Sequence, residues 1–336
     1  MIKRFMLLNV FLFLAFGFRA FAQQKTPIIY ASVLSNSRYV VGAKNRETGL
    51  FVSSDFGNTW QHVGWKNIRC FGMAMDPQKV GEVFYLASGN GVLKTVNGGK
   101  RWGITTGWRV TEVQEIVVNS VTPQKLVIGT PYGVFRSENA GRSWQSSNTG
   151  LNTIDAKFIS ALEIDRQNPD HLLLGTEAGL FGSRDGGKTW KRVALQGEPV
   201  RDIEQNLSEP AVFYLGTENK GVFKSTDGGK VWAAVNHGIQ YKTVYVLAID
   251  RTHPNTVYAG TYKGGVYKTT NGGRRWKAVN KGLTNRVLHG LAIVPGQPNI
   301  VFAGTVNGGI FKSTNGGNTW HYSGLNGAQV WKMEIW

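Results

Sequence analysis

Residues 183–190 read Ser183-Arg184-Asp185-Gly186-Gly187-Lys188-Thr189-Trp190. The same pattern, Ser/Thr-x-Asp/Asn-x-Gly-x-x-Trp, returns at 53–60, 95–102, 137–144, 225–232, 269–276 and 313–320, giving seven copies. Their closing tryptophans, from Trp60 to Trp320, fall 42, 42, 46, 42, 44 and 44 residues apart. A fixed period in the low forties means one supersecondary unit repeated end to end. Each residue of the pattern has a physical reason. The Asp or Asn oxygen caps nearby backbone N–H groups, Gly takes a positive φ, and Trp fills a wedge between strands. Three copies carry Asp (Asp55, Asp185, Asp227) and four carry Asn (Asn97, Asn139, Asn271, Asn315). A neutral amide therefore serves as well as a carboxylate, which marks the position as an acceptor and not as an acid catalyst or calcium ligand.

Working outward, one period holds an apolar run at 244–250, a turn around Pro254, strands at 256–261 and 265–269, a tight turn at Asn271-Gly272-Gly273 and a fourth strand at 275–279. Four short antiparallel strands per repeat make a propeller blade. The expected fold is all-β, a seven-bladed β-propeller spanning 23–336. Eight stretches fit the innermost strand, at 28–34, 69–76, 112–118, 158–165, 200–205, 244–250, 287–294 and 329–336, so one terminal candidate is surplus. Pairing of 330–336 with the N-terminal blade would close the ring.

The eight-residue segment is identified as the Asp-box, or BNR repeat, and the resemblance covers essentially all of 23–336. Among Asp-box families, sialidases carry an Arg-Ile-Pro motif on a six-bladed ring, and this chain has seven boxes and no such motif. Sortilin-type receptors need a disulfide-rich module that a single cysteine excludes. The Gly-Thr…Gly-Val-Phe-Lys-Ser-Thr-Asp-Gly-Gly run ending at Gly229 resembles one propeller of the Asp-box xyloglucanases, which place acid and base between two propellers. The photosystem II assembly factor type, a single exported seven-bladed ring with a basic, protein-binding face, is similar in length, leader and charge.

Composition agrees. Gly is 43 of 336 residues, nearly twice the usual ~7%, alongside 11 Trp, 11 Tyr and 17 Phe. The lone Cys70 reads as a small packing residue and excludes thiolate-rich metal sites. Residues 1–22 have a basic start, an apolar run and an Ala20-Phe21-Ala22 ending, the marks of a cleaved signal peptide. The expected product is exported, periplasmic or extracellular, with no later transmembrane segment, and monomeric. The whole chain carries +17. Removing the leader's Lys3, Arg4 and Arg19 leaves +14, which favours an anionic protein or glycan partner over nucleic acid. Lys94, Lys100, Arg101, Arg136, Arg142, Arg184, Lys188, Lys224, Lys230, Lys268, Arg274, Arg275 and Lys312 lie in or beside the boxes and would spread charge around the rim.

In a propeller the inner strands line a channel and the loops leading into them form one face, so site candidates belong there. Aligned on Leu247, these strands place Glu115, Glu163, Asp202 and Glu204 on the face shared by Lys332 and Glu334. They either wall a wet channel, pair with Lys157 or Arg201, or act as a catalytic pair. Binding candidates are Trp65, Arg69, Trp108, Arg109, Lys157, Arg201, Tyr241, Tyr245, Arg286, His289 and Trp331, since aromatic rings beside cations suit a sugar or an anion. No metal or cofactor is implied. The first reading is a non-enzymatic binding or assembly module. The alternative is a glycoside hydrolase-like enzyme using two of the channel carboxylates, whose chemistry needs such a pair ~5–10 Å apart.

Overall fold

The computed structural model describes residues 26–36 and 48–336; the signal-peptide reading falls outside them. Seven four-stranded antiparallel sheets form the blades of a ring, and among the described residues helix is confined to the single turn Ile154–Lys157, capped by Thr153. The innermost strands are Cys70–Met75, Glu115–Val118, Ile159–Ile164, Val200–Gln205, Val244–Ile249, Leu288–Ile293 and Ala328–Ile335. The expected seven-bladed propeller is therefore the fold, although the outermost strands are shorter than sequence suggested, Lys277–Ala278 holding two residues.

Ring closure also follows expectation. Strand Ala328–Ile335 pairs antiparallel with Ile29–Asn36, from Ile335 opposite Ile29 to Ala328 opposite Asn36. The surplus candidate is thus the N-terminal one, which becomes the second strand of its blade, between Ala328–Ile335 and Gly49–Ser53. Val330, Met333 and Ile335 are buried against Ala31 and Phe302 in the seam with the preceding blade.

The boxes hold the outer turns by the acceptor logic read from sequence. In the copy at 183–190, Asp185 accepts from the Lys188 and Thr189 N–H groups at 2.9 Å each, and from the Thr189 hydroxyl at 2.6 Å. Ser183 donates to Asp185 and accepts from the Gly187 N–H at 2.8 Å. In the amide copies Asn97, Asn139, Asn271 and Asn315 each accept one N–H at 2.9 Å. The last Gly of each box has positive φ, as at Gly187 (79°). Where the preceding glycine is missing, Phe56 and Ala140 adopt the same left-handed backbone at 57° and 58°.

Boxes also latch blades to one another. The indole N–H groups of Trp60, Trp190, Trp276 and Trp320 donate to Ser323, Ser147, Val235 and Val279 of the preceding blade. Lys94, Lys224 and Lys268 reach forward to box carbonyls of the next blade while lying over the Tyr85, Tyr214 and Tyr258 rings, about 5 Å from their centres. These lysines, together with Lys312 over Phe302, are half-buried structural groups, which corrects the rim reading for these four; Lys100, Arg101, Arg142, Arg184, Lys188, Lys230, Arg274 and Arg275 are exposed as expected. Cys70 is buried as expected, and burial pushes its thiol up to about 11.

Deleting residues 328–336 removes buried Ala328 and three larger buried apolar side chains, Val330, Met333 and Ile335, each of the three worth about 1.5 kcal/mol or more. Thermal unfolding should then occur roughly 10 °C or more below the intact chain; an unchanged midpoint would contradict the closure.

The boxes give a second expectation. The hydroxyl and N–H of Thr59 hold Asp55 down at about 2, and at Asp185 burial pulls upward but Thr189 and Ser183 outweigh it, again to about 2. A lowered folded pKa stabilises above the unfolded value near 4, and that contribution is lost as pH falls towards 2. In melts from pH 5 to pH 2, the Asp55→Asn/Asp185→Asn variant should lose stability less steeply than the parent.

Candidate functional site

The channel is walled by the seven inner strands, which alternate side chains between channel and blade interior. Strict alternation would send Tyr245 to the same side as buried Leu247. Register shifts intervene between Cys70 and Gly72, Ile159 and Ala161, Val200 and Asp202, Val244 and Val246, and Leu288 and Gly290. These are β-bulges, which re-aim the extra residue. Phe71, Ser160, Arg201, Tyr245 and His289 are the bulged residues, and all but Phe71 line the channel at its mouth with Trp331.

There the side chains form a built rim. Tyr245 stacks on His289 with centroids 4.4 Å apart at 17°, and His289 on Trp331 at 4.3 Å and 20°. Phe71 meets Trp331 edge-on at 6.0 Å, with the Arg69 guanidinium 5.9 Å from the Phe71 ring. Arg69 pairs with Glu112. Across the mouth, Arg201 donates to Glu218 at 2.7 Å and to both oxygens of Glu177. Burial, with a smaller push from the Arg201 charge, lowers His289 to about 4, so the stack holds a neutral imidazole at ordinary pH.

Below the rim lie the inner-strand carboxylates. Glu115 is paired with Lys332 at 2.8 Å, and Asp202 accepts the Leu247 N–H at 2.6 Å. Arg201 is thus held by loop acids, not by the channel carboxylates, which corrects that part of the sequence reading. Burial raises Glu163 to about 7 and Asp202 to about 6. Burial also raises Glu204, reinforced by Asp202 and Glu163, and burial raises Glu334. For Lys332 burial acts downward, but Glu115, Glu334 and Asp202 overcome it and hold the ammonium charged. Among the described residues no three His, Cys, Asp or Glu side chains converge to hold a metal ion.

The structure therefore gathers Arg69, Arg201, Tyr245, His289 and Trp331 at the mouth. It leaves Trp65, Trp108, Arg109, Lys157, Tyr241 and Arg286 on the surrounding loops. Trp108 is 83% exposed, with the Arg109 guanidinium 5.1 Å from its ring. Sequence reasoning missed Glu177 and Glu218, which clamp Arg201. Their signal was available, because each follows a Gly-Thr pair at one repeat position in neighbouring blades. It also missed Ile154, 84% exposed on the short helix.

The model of the photosynthesis system II assembly factor YCF48 family matches residues 149–292. No curated protein matches in sequence. Among solved structures, the GH74 xyloglucanase from Xanthomonas campestris superposes with a TM-score of 0.67 at 17% identity, over 92% of this chain and 52% of that one. The chain thus spans about half the length of that enzyme. YCF48 bound to D1 peptide gives 0.59 at 15% identity over 77% of this chain and 83% of that one. YCF48 from Cyanidioschyzon merolae gives 0.57 at 14% over 87% and 94%. At these identities the likeness is one of fold.

The raised carboxylates have a measurable consequence. A folded pKa above the unfolded value stabilises at low pH, and that contribution disappears as pH rises through the folded value. For Glu163 the window runs from near 4.3 to about 7. The melting temperature of Glu163→Gln, relative to the parent, should rise by about 2–4 °C between pH 5 and pH 8; a constant difference would mean that Glu163 is not strained.

Proposed function

We propose that this chain is an exported, non-enzymatic binding module that holds a polypeptide segment on its loop face. The observation that carries the reading is the exposure on that face of large side chains the fold does not use. Trp65, Trp108, Ile154 and Tyr241 lie in four connections running from an outermost strand to the next inner strand, and are 40%, 83%, 84% and 43% exposed. Such connections share one end of the disc. Aromatic residues and Arg are what buried anchor positions of protein interfaces favour. Aromatic rings alone would also suit a glycan, but an exposed isoleucine offers a sugar little and a peptide much. Arg109, Lys157, Lys242 and Arg286 surround these residues, so the segment that fits is acidic. The match of residues 149–292 to the YCF48 family, and the D1 peptide on one structural neighbour, support a peptide over other ligands.

The glycoside hydrolase-like reading retains one observation, the raised Glu163 and Asp202 in a common channel. A polysaccharide would have to reach them through a mouth rimmed by the aromatic stack, so a chain end would be the substrate. Release of reducing sugar from a polysaccharide panel, abolished by Glu163→Gln, would establish it.

The binding reading is tested on paired arrays of acidic peptides and of glycans. Peptide binding should weaken at least about tenfold in Trp108→Ala/Ile154→Ala, with an unchanged melting temperature because both side chains are exposed. Glycan binding without peptide binding would refute it.

A further inference from the structure

Beneath the rim is a cavity of about 480 Å³ whose two arcs differ in chemistry. On one arc Tyr245, His289 and Trp331 stand above Val246, Ala248 and Ala292, an apolar wall. On the other, Glu115, Glu163, Asp202 and Glu204 face inward, with Glu334 joining them from the closing strand. Lys332 is committed to Glu115 and Arg201 to the loop acids. Arg166 and Arg251, at the far end, are the other cations near the group, and the acids still outnumber the bases.

The fold does not require these acids. At the same two tiers the neighbouring strands carry Val246 and Ala248, or Gly290 and Ala292, and close the ring equally well. Glu163, Glu204 and Glu334 lie inside the ring and are aimed into the cavity. None of the three carboxylates accepts a hydrogen bond from a described residue. Their oxygens face the open channel, so acceptors that no protein donor occupies are free to meet a donor that enters it. The groups are spread around a cavity and do not converge as metal ligands, an arrangement suited to a cation that donates several separated hydrogen bonds.

We propose that the channel receives one lysine or arginine side chain of the polypeptide held on the loop face. Its stem lies along Tyr245, His289 and Trp331, and its charged head sits between Glu163, Asp202 and Glu204. Long cationic side chains bury an apolar stem and keep a charged tip satisfied, and charge-assisted hydrogen bonds to carboxylates are the strong class. Asp202 and Glu204 are about 6.6 Å apart along their strand, so the head finds acceptors over a range of depths. The partner is then an acidic segment with a single basic residue at the channel. The raised carboxylate pKa values add a signature, because a bound cation favours ionisation and protons leave as it enters.

This inference rests on the binding reading above, and its test is separable from that one. Glycine pentapeptides carrying lysine, arginine, norleucine or Nε-acetyllysine at the centre are titrated into the full chain by calorimetry, in two buffers of different ionisation enthalpy. The lysine or arginine peptide should bind at least tenfold more tightly than the norleucine peptide, with proton release. Glu163→Gln/Glu204→Gln should remove that preference while leaving acidic-peptide binding at Trp108 and Ile154 intact. If the double variant does not fold, Glu204→Gln alone is judged by the same criterion. Equal binding of norleucine or acetyllysine, an undiminished preference in the folded variant, or no binding of either cationic peptide to the parent would overturn the proposal and leave the loop-face reading standing.

Discussion

What the ring depends on is how closely each blade approaches the next. Gly129, Gly175, Gly216, Gly260 and Gly304 occupy one position in the second strand of five blades, and an added Cβ at any of them would collide with a neighbouring inner strand. At Gly216 it would stand 2.7 Å from the Val244 carbonyl oxygen and 2.8 Å from its Cγ1 atom, and at Gly304 2.5 Å from Val330. Inner strands are thereby drawn against the preceding sheet, which sets how tightly seven of them curl around a common axis. The width of the channel is a consequence of that contact, and so is the 4.3–4.4 Å spacing of three rings contributed by three different blades.

The boxes secure this geometry from the outside. Each is a turn whose Ser/Thr and Asp/Asn side chains bond its own backbone N–H groups, so it can be placed against the next blade at little desolvation cost. Indole donors reach back and lysine ammoniums reach forward, and both end on backbone carbonyls that a turn leaves free. Chain-level charge is misleading for this reason. Part of the excess of basic over acidic residues is built into the blade latches, where Lys94, Lys224 and Lys268 are half-buried and lowered by that burial. The charge left for a partner is on the loops, at Arg109, Lys157 and Arg286 among others, and on exposed box residues such as Lys100, Arg101, Lys188, Lys230, Arg274 and Arg275.

Fold and site were legible to different degrees for physical reasons. A box with a required glycine and tryptophan recurs because every blade faces the same packing problem, so seven copies announce the architecture and the closure. Side-chain direction at the mouth was less accessible. Period-two alternation puts Arg201, Tyr245 and His289 inside the blades, and only a bulge, set by pairing with the second strand, turns them to the channel. The carboxylate set was readable from aligned strands, but its pairing was not. Lys332 comes from the closing strand and meets Glu115 across 217 positions of sequence, whereas Glu177 and Glu218 reach Arg201 from loops of two blades.

The sign of the channel is the feature that stability does not explain. Glu163, Asp202 and Glu204 are held in a setting that disfavours their ionised forms, so near neutral pH they subtract from the free energy of folding. Small apolar residues at equivalent positions would fill the same tiers without that penalty, as Ala248 and Ala292 do. Strain confined to one place in an otherwise self-consistent structure is characteristic of functional sites. Glu163, Asp202, Glu204 and Glu334 all shift upward, with burial the largest cause at each. Carboxylates ringed about a cavity with an apolar wall suit the cationic side chain proposed for it.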